Sequence, residues 1–302
     1  MENNLSDKNE NKEKKGRGVS HSKIILMGEH SVVYGYPAIA IPLKNIRMEC
    51  IVERATVPFI HNKKDTLSTA IYTALNYLNR KSENIKYKVI SDIPPKRGMG
   101  SSAAVSIAAI RGVLDYFNTE VDNMTLEKLV NEAEIIAHNT PSGLDAKTCL
   151  SDSAIKFIKN KGFKNLEMNL GAYLLIADTG IHGHTRDAIM NIKNMGDRAL
   201  PMLEKLGKLT EETEKFIEEK DVINIGKNMI SAHGELKKLG VSIKKSDVLV
   251  KTAIDEGAYG SKMSGGGLGG CIIALMESRE KAEMTGKKLM EKGAVNIWIE
   301  AL

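Results

Sequence analysis

The segment Pro94-Pro95-Lys96-Arg97-Gly98-Met99-Gly100-Ser101-Ser102-Ala103-Ala104 decides how this chain folds. Residues 87–93 before it are β-branched and apolar, which predicts a strand. Residues 105–117 after it carry apolar side chains at helical spacing, which predicts a helix. A strand, a tight loop and a helix start can hold a phosphate, because the first N–H groups of a helix have no partner inside it.

Several residues of this loop suit a phosphate. Gly98 and Gly100 allow the backbone to approach a ligand closely. Ser101 and Ser102 place hydroxyls where a phosphate or its metal would lie, and the pair Lys96-Arg97 adds positive charge. The alternative is a capped turn, in which Ser101 is a plain N-cap and the glycines only shape the chain.

Composition sets broad limits on the class of protein. The chain has 302 residues, which suits two domains or one bilobal unit. Its net charge of +5 is mild, and basic and acidic residues are interleaved, so a nucleic-acid role is disfavoured. No run of about 18 apolar residues occurs, so we expect no membrane-spanning helix.

The cysteines and the first residues bear on location. Cys50, Cys149 and Cys271 show neither metal-ligand spacing nor a disulfide framework, so we expect a reducing, cytoplasmic environment. The beginning of the chain is polar and mixed in charge, without an apolar stretch. This pattern predicts a disordered tail over residues 1–19 and not a secretory signal.

Strand-like and helix-like segments follow one another without regular alternation, which indicates an α+β fold and not a doubly wound sheet. The pattern changes from β-rich to helix-rich near residue 180. We therefore expect an N-terminal lobe over residues 20–180, which binds nucleotide and substrate. A helix-rich C-terminal lobe is expected over residues 181–302.

A second glycine loop lies at residues 262–270 and contains G-x-G-x-x-G at Gly265, Gly267 and Gly270. A dinucleotide site needs a strand before this pattern and a helix after it. Here the pattern predicts a helix before the loop and a strand at 271–276 after it, which excludes that site. A flexible hairpin-like connector is the alternative, but five glycines in six positions favour close contact with another molecule.

Phosphoryl transfer needs a phosphate cradle, a metal ligand and a group that orients or deprotonates the acceptor hydroxyl. The Walker pattern and the protein-kinase motifs are absent from the sequence. Glu134 falls about 40° from Val130 on a predicted amphipathic helix, at the edge of the apolar stripe. It is a candidate magnesium ligand, and the alternative is a solvated helix acid.

Asp145 has two interpretations. With Ser142 it matches a capping box for a short helix. As a catalytic acid it would need a positive neighbour, which Lys23 on the first predicted strand could supply. His182 and His184 could ligate a metal, but no third ligand is nearby, so we prefer a polar loop that presents Thr185 to a substrate.

Three motifs in order resemble the GHMP kinase superfamily. They are Lys23-Ile24-Ile25-Leu26-Met27-Gly28-Glu29-His30, the loop at 94–104 and the loop at 262–270. The resemblance extends from about residue 20 to the C-terminus. Within the superfamily, the segments 28–35, 134–145 and 178–186 most resemble the members that phosphorylate mevalonate.

The resemblance implies a two-lobed GHMP-kinase fold with the active site in the cleft between the lobes, and ATP as co-substrate. It implies that Asp145 and Lys23 are catalytic and that Ser102 and Glu134 hold Mg²⁺. The residues implied to bind ATP are Pro94, Lys96, Arg97, Gly98, Met99, Gly100, Ser101, Ser102, Ala103 and Ala104. The residues implied to line the mevalonate site are Glu29, His30, Ser142, Gly143, Thr185, Gly265 and Gly266. Homodimers occur in the superfamily, so a homodimer is possible.

Two features depart from the usual superfamily pattern. Met99 replaces a leucine with little change in volume, and Leu268 stands at a common glycine position, where it could alter the loop. Phosphomevalonate, homoserine and galactose kinases remain alternatives, although Ser31 replaces the aspartate usual in the sugar enzymes. A non-catalytic ligand-sensing member is another, but such members usually lose the serines or the acid.

Overall fold

The computed structural model describes residues 14–138 and 143–302 of the protein. The described residues form two antiparallel sheets with α-helices packed around them. The α+β class predicted from the sequence is therefore confirmed. One contiguous core joins the two sheets, since it includes Ile24 of the first sheet, Ile110 of a helix and Ile273 of the second sheet.

The first sheet is built around one long strand. Strand β2 pairs with β1 along one edge; on the other edge its first half pairs with β4 and its second half with β3. Strand β5 extends the sheet beyond β4. The strands are β1 (Lys15–Met27), β2 (Ala38–Arg54), β3 (Ile85–Ser91), β4 (Ala154–Ile158) and β5 (Gly162–Leu166).

Four helices accompany this sheet: α1 (Thr66–Tyr77), α2 (Ser101–Tyr116), α3 (Asn123–His138) and α4 (Leu144–Leu150). Helix α2 lies unusually close to β1. A Cβ placed on Gly18 would come within 2.0 Å of the Ala108 carbonyl oxygen, so only glycine fits there. This close packing fixes α2, and therefore its N-terminus, against the strand that carries Lys23.

The second sheet has the strand order β7–β8–β6–β9. Its strands are β6 (Tyr173–Asp178), β7 (Gly260–Ser264), β8 (Cys271–Met276) and β9 (Asn296–Ala301). One face contributes to the shared core, and the other packs on α8 and α9. The helices are α5 (Thr185–Met195), α6 (Leu200–Glu218), α7 (Val222–Lys238), α8 (Lys244–Asp255) and α9 (Arg279–Glu291).

Three sequence expectations need correction. Strand β1 begins at Lys15, so residues 15–19 of the expected disordered tail pair with β2. Strands β5 and β7 were not predicted, because both are short and depend on pairing with a distant partner. Because β7 precedes the second glycine loop, that loop is the turn of a β7–β8 hairpin. The dinucleotide site stays excluded, since a strand and not a helix follows.

The change from one sheet to the other falls between Leu166 and Tyr173. The predicted boundary at residue 180 would leave β6 in the N-terminal lobe, although β6 pairs with β8 and β9. The reason is that β6 precedes most of the C-terminal helices in the chain but is completed by strands that follow them. In the part of the chain that the structure describes, no helix combines the length and apolarity needed to cross a bilayer.

Candidate active site

The loop that precedes α2 presents an open helix end. Gly98 and Gly100 have φ values of 78° and 71°, in the left-handed region that glycine tolerates. The N-cap of α2 is Gly100 and not Ser101, and no described side chain caps it. The capped-turn alternative, with Ser101 as the N-cap, is therefore wrong, and the start of α2 has the polarity that attracts an anion.

Strand β1 holds this loop in place from below. The Lys23 N–H and the Ser22 hydroxyl both donate to the Met99 carbonyl, at 3.2 and 2.7 Å. The Met99 side chain is fully buried, so it fills the position of the usual leucine. Gly100 also lies on the lysine stem, because a Cβ there would come within 2.8 Å of Lys23 Cγ.

The structure brings Lys23 and Asp145 together. The Lys23 ammonium lies 2.9 Å from Asp145 Oδ1 and donates to the Gly98 carbonyl at 3.3 Å. The lysine side chain is 3% exposed and the aspartate 48%, so the acid reaches solvent while its partner does not. The N-cap of α4 is Gly143, with a φ of 77°. Ser142, predicted to cap that helix or to bind substrate, lies outside the described residues.

Glu134 faces the phosphate loop from α3. It is 7% exposed, which agrees with its predicted place beside the apolar stripe. Its carboxylate accepts hydrogen bonds from Ser102 Oγ at 3.1 Å and Ser106 Oγ at 2.9 Å. Ser106 was missed in the sequence, although it follows Ser102 by one helical turn and so shares its face.

The donor set here fits Mg²⁺. The residues that the structure describes contain no cluster of three or more acidic, histidine or cysteine side chains that could hold a metal. Magnesium in nucleotide enzymes uses one or two protein carboxylates and completes its shell with water and phosphate oxygens. One carboxylate beside a hydroxyl, at an open helix N-terminus, meets that requirement.

The second glycine loop faces the first. A Cβ on Gly98 would lie 3.2 Å from Gly265 Cα, so the two backbones are in contact. Leu268 adopts a φ of 54°, in the left-handed region, and its N–H donates to the Val241 carbonyl at 2.8 Å. The leucine therefore keeps the conformation that glycine would give at this position.

A third loop, after β6, joins the other two. The Gly183 N–H donates to the Lys96 carbonyl at 2.9 Å, and the His184 N–H donates to the Gly267 carbonyl at 3.0 Å. Thr185 begins α5 and lies against Gly266, where a Cβ would come within 1.9 Å of its hydroxyl. The third loop is therefore hydrogen-bonded to both glycine loops, and the three loops together line one cleft.

Arg97, predicted to bind ATP, also forms an ion pair within the protein. Its Nε lies 2.7 Å from Asp178 Oδ1, and both side chains are largely buried. The ion pair ties the phosphate loop to the end of β6, and nothing in the sequence assigned Asp178 to it. The Arg97 Nη1 group has no hydrogen-bond partner among the described residues, and Arg97 lines the cleft. An anion there would satisfy that buried donor.

The cleft has a volume of about 300 Å³ and is lined by residues of all three loops, including Lys96, Ser102, Thr185 and Gly267. A larger concavity of about 930 Å³ lies near Arg54 and Tyr116, at the other end of α2. Converging chemical groups identify a site better than volume does. We therefore assign the candidate site to the smaller cleft.

Glu29 and His30 lie behind the cleft. Glu29 is 1% exposed and forms a buried ion pair with Lys262, and its place in the mevalonate site stays a prediction. Burial raises the pKa of Glu29 and lowers that of Lys262, and their attraction opposes both shifts. Burial lowers the pKa of His30 to about 4, which keeps its ring neutral.

Comparison with known proteins agrees with this geometry. The family models for the GHMP kinases N terminal domain and the GHMP kinases C terminal match residues 69–152 and 213–293. The mevalonate kinase of Pyrococcus furiosus is 31% identical over 89% of this chain and 91% of its own.

Solved structures share the fold. Mevalonate kinase from Staphylococcus aureus MRSA252 superposes with a TM-score of 0.78 at 29% identity, covering 96% of this chain and 99% of that one. The L. major mevalonate kinase bound to R-mevalonate gives a TM-score of 0.85 at 24% identity, covering 95% and 96%.

Together with the two family models, the two sheets, the open helix end and the three-loop cleft define a GHMP kinase. The extent and identity of the match to curated relatives narrow the class further. The chain belongs to the mevalonate kinase family.

Proposed function

We propose that the protein transfers the γ-phosphate of ATP to the 5-hydroxyl of mevalonate and so forms 5-phosphomevalonate, in isoprenoid precursor synthesis. The observation that carries the proposal is the Lys23–Asp145 pair. The two charged groups are 2.9 Å apart and lie beside the phosphate loop, where helix α2 begins without a side-chain cap. A loop of this kind binds phosphates, and a half-exposed carboxylate beside it can accept a hydrogen bond from an alcohol substrate.

The loop and the two flanking residues divide the work of transfer. The N–H groups at the start of α2 hold the nucleotide phosphates, where the helix dipole favours negative charge. Lys23 offsets the charge that develops on the transferred group, and its buried position keeps it in place. Asp145 accepts the hydrogen bond of the acceptor hydroxyl, orients its oxygen toward the γ-phosphorus and receives its proton as the new bond forms.

Ser102 and Glu134 are the residues that would hold Mg²⁺, in the donor set described above. When bound, the ion neutralises charge on the phosphate oxygens. Ser106 holds the Glu134 carboxylate toward Ser102 through its own hydrogen bond.

The acceptor site is proposed on the opposite wall. Thr185 and the backbone of Gly265-Gly266 offer polar contacts there, and neutral His30 lies just behind Gly266. His30 Nε2 has no hydrogen-bond partner among the described residues and can bond an acceptor oxygen. Ser142 lies outside the described residues, and its role in this site stays a prediction.

Location and assembly complete the proposal. All three cysteines are buried and unpaired, as expected of a protein in a reducing cytoplasm. A homodimer and the absence of nucleic-acid and membrane partners stay predictions. The division into an N-terminal and a C-terminal lobe stays a proposal, with the boundary moved from residue 180 to the segment between Leu166 and Tyr173.

An ADP-release assay with mevalonate, phosphomevalonate, homoserine and galactose tests the function directly. We expect turnover with mevalonate at least 100-fold above the others. Turnover with one of the other three and not with mevalonate would refute the substrate. ATP binding without ADP release from any acceptor would favour a ligand-sensing protein.

A further inference from the structure

A buried ion pair connects the two segments that frame the acceptor site. The Lys262 ammonium contacts the Glu29 carboxylate, and the two side chains are 0% and 1% exposed. The same ammonium donates to the Met263 carbonyl at 2.8 Å. Glu29 belongs to the turn after β1 and Lys262 to β7, so the pair joins the two sheets.

Stability alone does not account for such a pair. Two charges removed from water lose more hydration than their attraction returns unless the geometry is very favourable, and apolar residues of similar size often do as well. One Glu29 oxygen, Oε2, also lacks a hydrogen-bond partner among the described residues. The pair therefore calls for a role in function.

Its location suggests that role. Glu29 immediately precedes His30, while Lys262 lies in β7 at the start of the second glycine loop and three residues before Gly265, the first of its glycines. Ser264 Oγ donates to the Ile25 carbonyl at 2.7 Å, a second bond between the same segments. Gly265, the next residue, contacts the phosphate loop at Gly98.

Two histidines, His30 and His233, lie close enough to Lys262 to be influenced by its charge. The pKa values of His30 and His233 are lowered, in each case mainly by burial and further by the charge of Lys262. His233 Nδ1 accepts the Met263 N–H at 3.3 Å, and its Nε2 lies 3.2 Å from Asp247. Glu29 is thus the anion closest to Lys262, and both neighbouring imidazoles are held neutral.

We infer that Lys262 is a positioning residue, whose ion pair with Glu29 fixes the second glycine loop against the turn that carries His30. The pair thereby sets affinity for the acceptor alcohol and the rate of transfer, without contact to ATP. The inference rests on the proposed function, since it assigns the alcohol site to this wall of the cleft.

Three variants test it: Lys262→Met, Glu29→Gln and the double variant. Each single variant leaves one buried charge without its partner, so kcat/KM for mevalonate should fall at least 10-fold while KM for ATP changes less than threefold. The double variant leaves neither charge, so it should recover a substantial part of the loss. Non-additivity of this kind identifies a coupled pair.

The pH dependence separates positioning from packing. In Lys262→Met the unpaired Glu29 is tolerated best when protonated, so kcat/KM relative to wild type should rise as the pH is lowered. In Glu29→Gln the unpaired Lys262 is tolerated best when neutral, so the same ratio should rise as the pH is raised. The charge of Lys262 lowers the pKa of His30 and His233, so both pKa values rise in Lys262→Met and do not cancel in the ratio. The slopes are therefore compared above about pH 7, where a neutral imidazole is the dominant form.

Lys156→Met is the matched control. It removes one of the two lysine partners of Glu214, in a largely buried ion pair between β4 and α6 that takes no part in the cleft, while Lys164 keeps its contact with the same carboxylate at 3.0 Å. We expect a lower melting temperature there, with unchanged KM for mevalonate. Should Lys262→Met fail to fold, Glu29→Gln and the double variant are compared with each other, because a loss in the first and recovery in the second still identify a coupled pair.

Lowered melting temperatures with unchanged acceptor kinetics, or parallel pH slopes in both single variants, would overturn the inference. Failure of the proposed function gives a different result. In that case wild type itself does not turn over mevalonate, and the positioning role is judged on whichever acceptor the four-substrate assay identifies, or on ligand affinity if none is turned over.

Discussion

The ammonium group of Lys23 lies 2.9 Å from Oδ1 of Asp145, between the phosphate loop and the start of α4. The lysine is buried and the acid half-exposed, so the charge pair has one side in the protein interior and one in solvent. A carboxylate held in this way is oriented by its partner without being closed off from solvent. The pair therefore leads directly to the first prediction.

Asp145→Asn should lower kcat by about 10³-fold or more, because it removes the group that orients the hydroxyl and accepts its proton. KM for ATP should change less than about threefold, since the phosphate loop is untouched. Steady-state kinetics and an ATP-binding titration measure the two effects. Asp152→Asn, at an aspartate that is 97% exposed, is the control. A kcat within tenfold of wild type would exclude the assigned role.

Ser106→Ala should weaken binding of magnesium-loaded ATP. The Ser106 hydroxyl donates to Glu134 at 2.9 Å, and hydrogen bonds to charged groups contribute about 1.5–3 kcal/mol. Loss of that bond should raise KM for the nucleotide about tenfold and raise the magnesium concentration needed for half-maximal activity. The buried Thr210 hydroxyl donates at 2.8 Å to Leu206 in α6, so Thr210→Val is a matched control. Equal KM values in the two variants would contradict the prediction.

Acid should destabilise the protein through His30. Burial lowers the pKa of His30 from 6.5 to about 4, so between these values the unfolded chain binds a proton that the folded protein does not. Protons then favour unfolding, and the free energy of unfolding falls by about 2 kcal/mol between pH 6.5 and 5. Urea unfolding of wild type and His30→Gln checks this, because the variant should lose this part of the slope. The exposed His182→Gln should keep the wild-type slope.

Substitutions at Leu268 should rank by backbone conformation and not by side-chain size. A non-glycine residue in the left-handed region costs about 1–2 kcal/mol, and a β-branched residue costs more. Leu268→Gly should therefore be at least as stable as Leu268→Val. The order should reverse at Leu275, which is fully buried in strand β8. Urea midpoints of the four variants measure both orders, and the same order at both sites would argue against strain at Leu268.

Local patterns made much of the site predictable. The glycine loop before a helix follows from turn chemistry, and the place of Glu134 beside the buried stripe follows from a period of 3.6 residues. Both depend only on neighbours within a few turns. The sequence allowed Lys23 and Asp145 to be neighbours but could not place them together. Their proximity depends on the packing of β1 against α2 and α4.

Long-range partners could not be predicted in the same way. Arg97 pairs with Asp178, and Lys262 pairs with Glu29. Nothing in the neighbouring sequence distinguishes these two buried ion pairs from four solvated charges. Strand β7 was missed for a similar reason: Gly260–Ser264 has little strand propensity and is ordered by β8. These features depend on contacts between residues far apart in the chain, so they cannot be predicted from local sequence patterns.

The β7–β8 hairpin also sets a timetable for synthesis. More than 150 residues separate Ala104, at the end of the phosphate loop, from Ser264, where the facing loop begins. A ribosome adds about 5–20 residues per second, so the first wall of the cleft waits about 10–30 s for the second. A nascent chain in that interval lacks the facing loop, so it has no enclosed place for the alcohol and transfer has to await the synthesis of the hairpin. Ribosome-bound chains stalled before residue 260 should bind nucleotide and release no ADP, and ADP release from them would contradict this order.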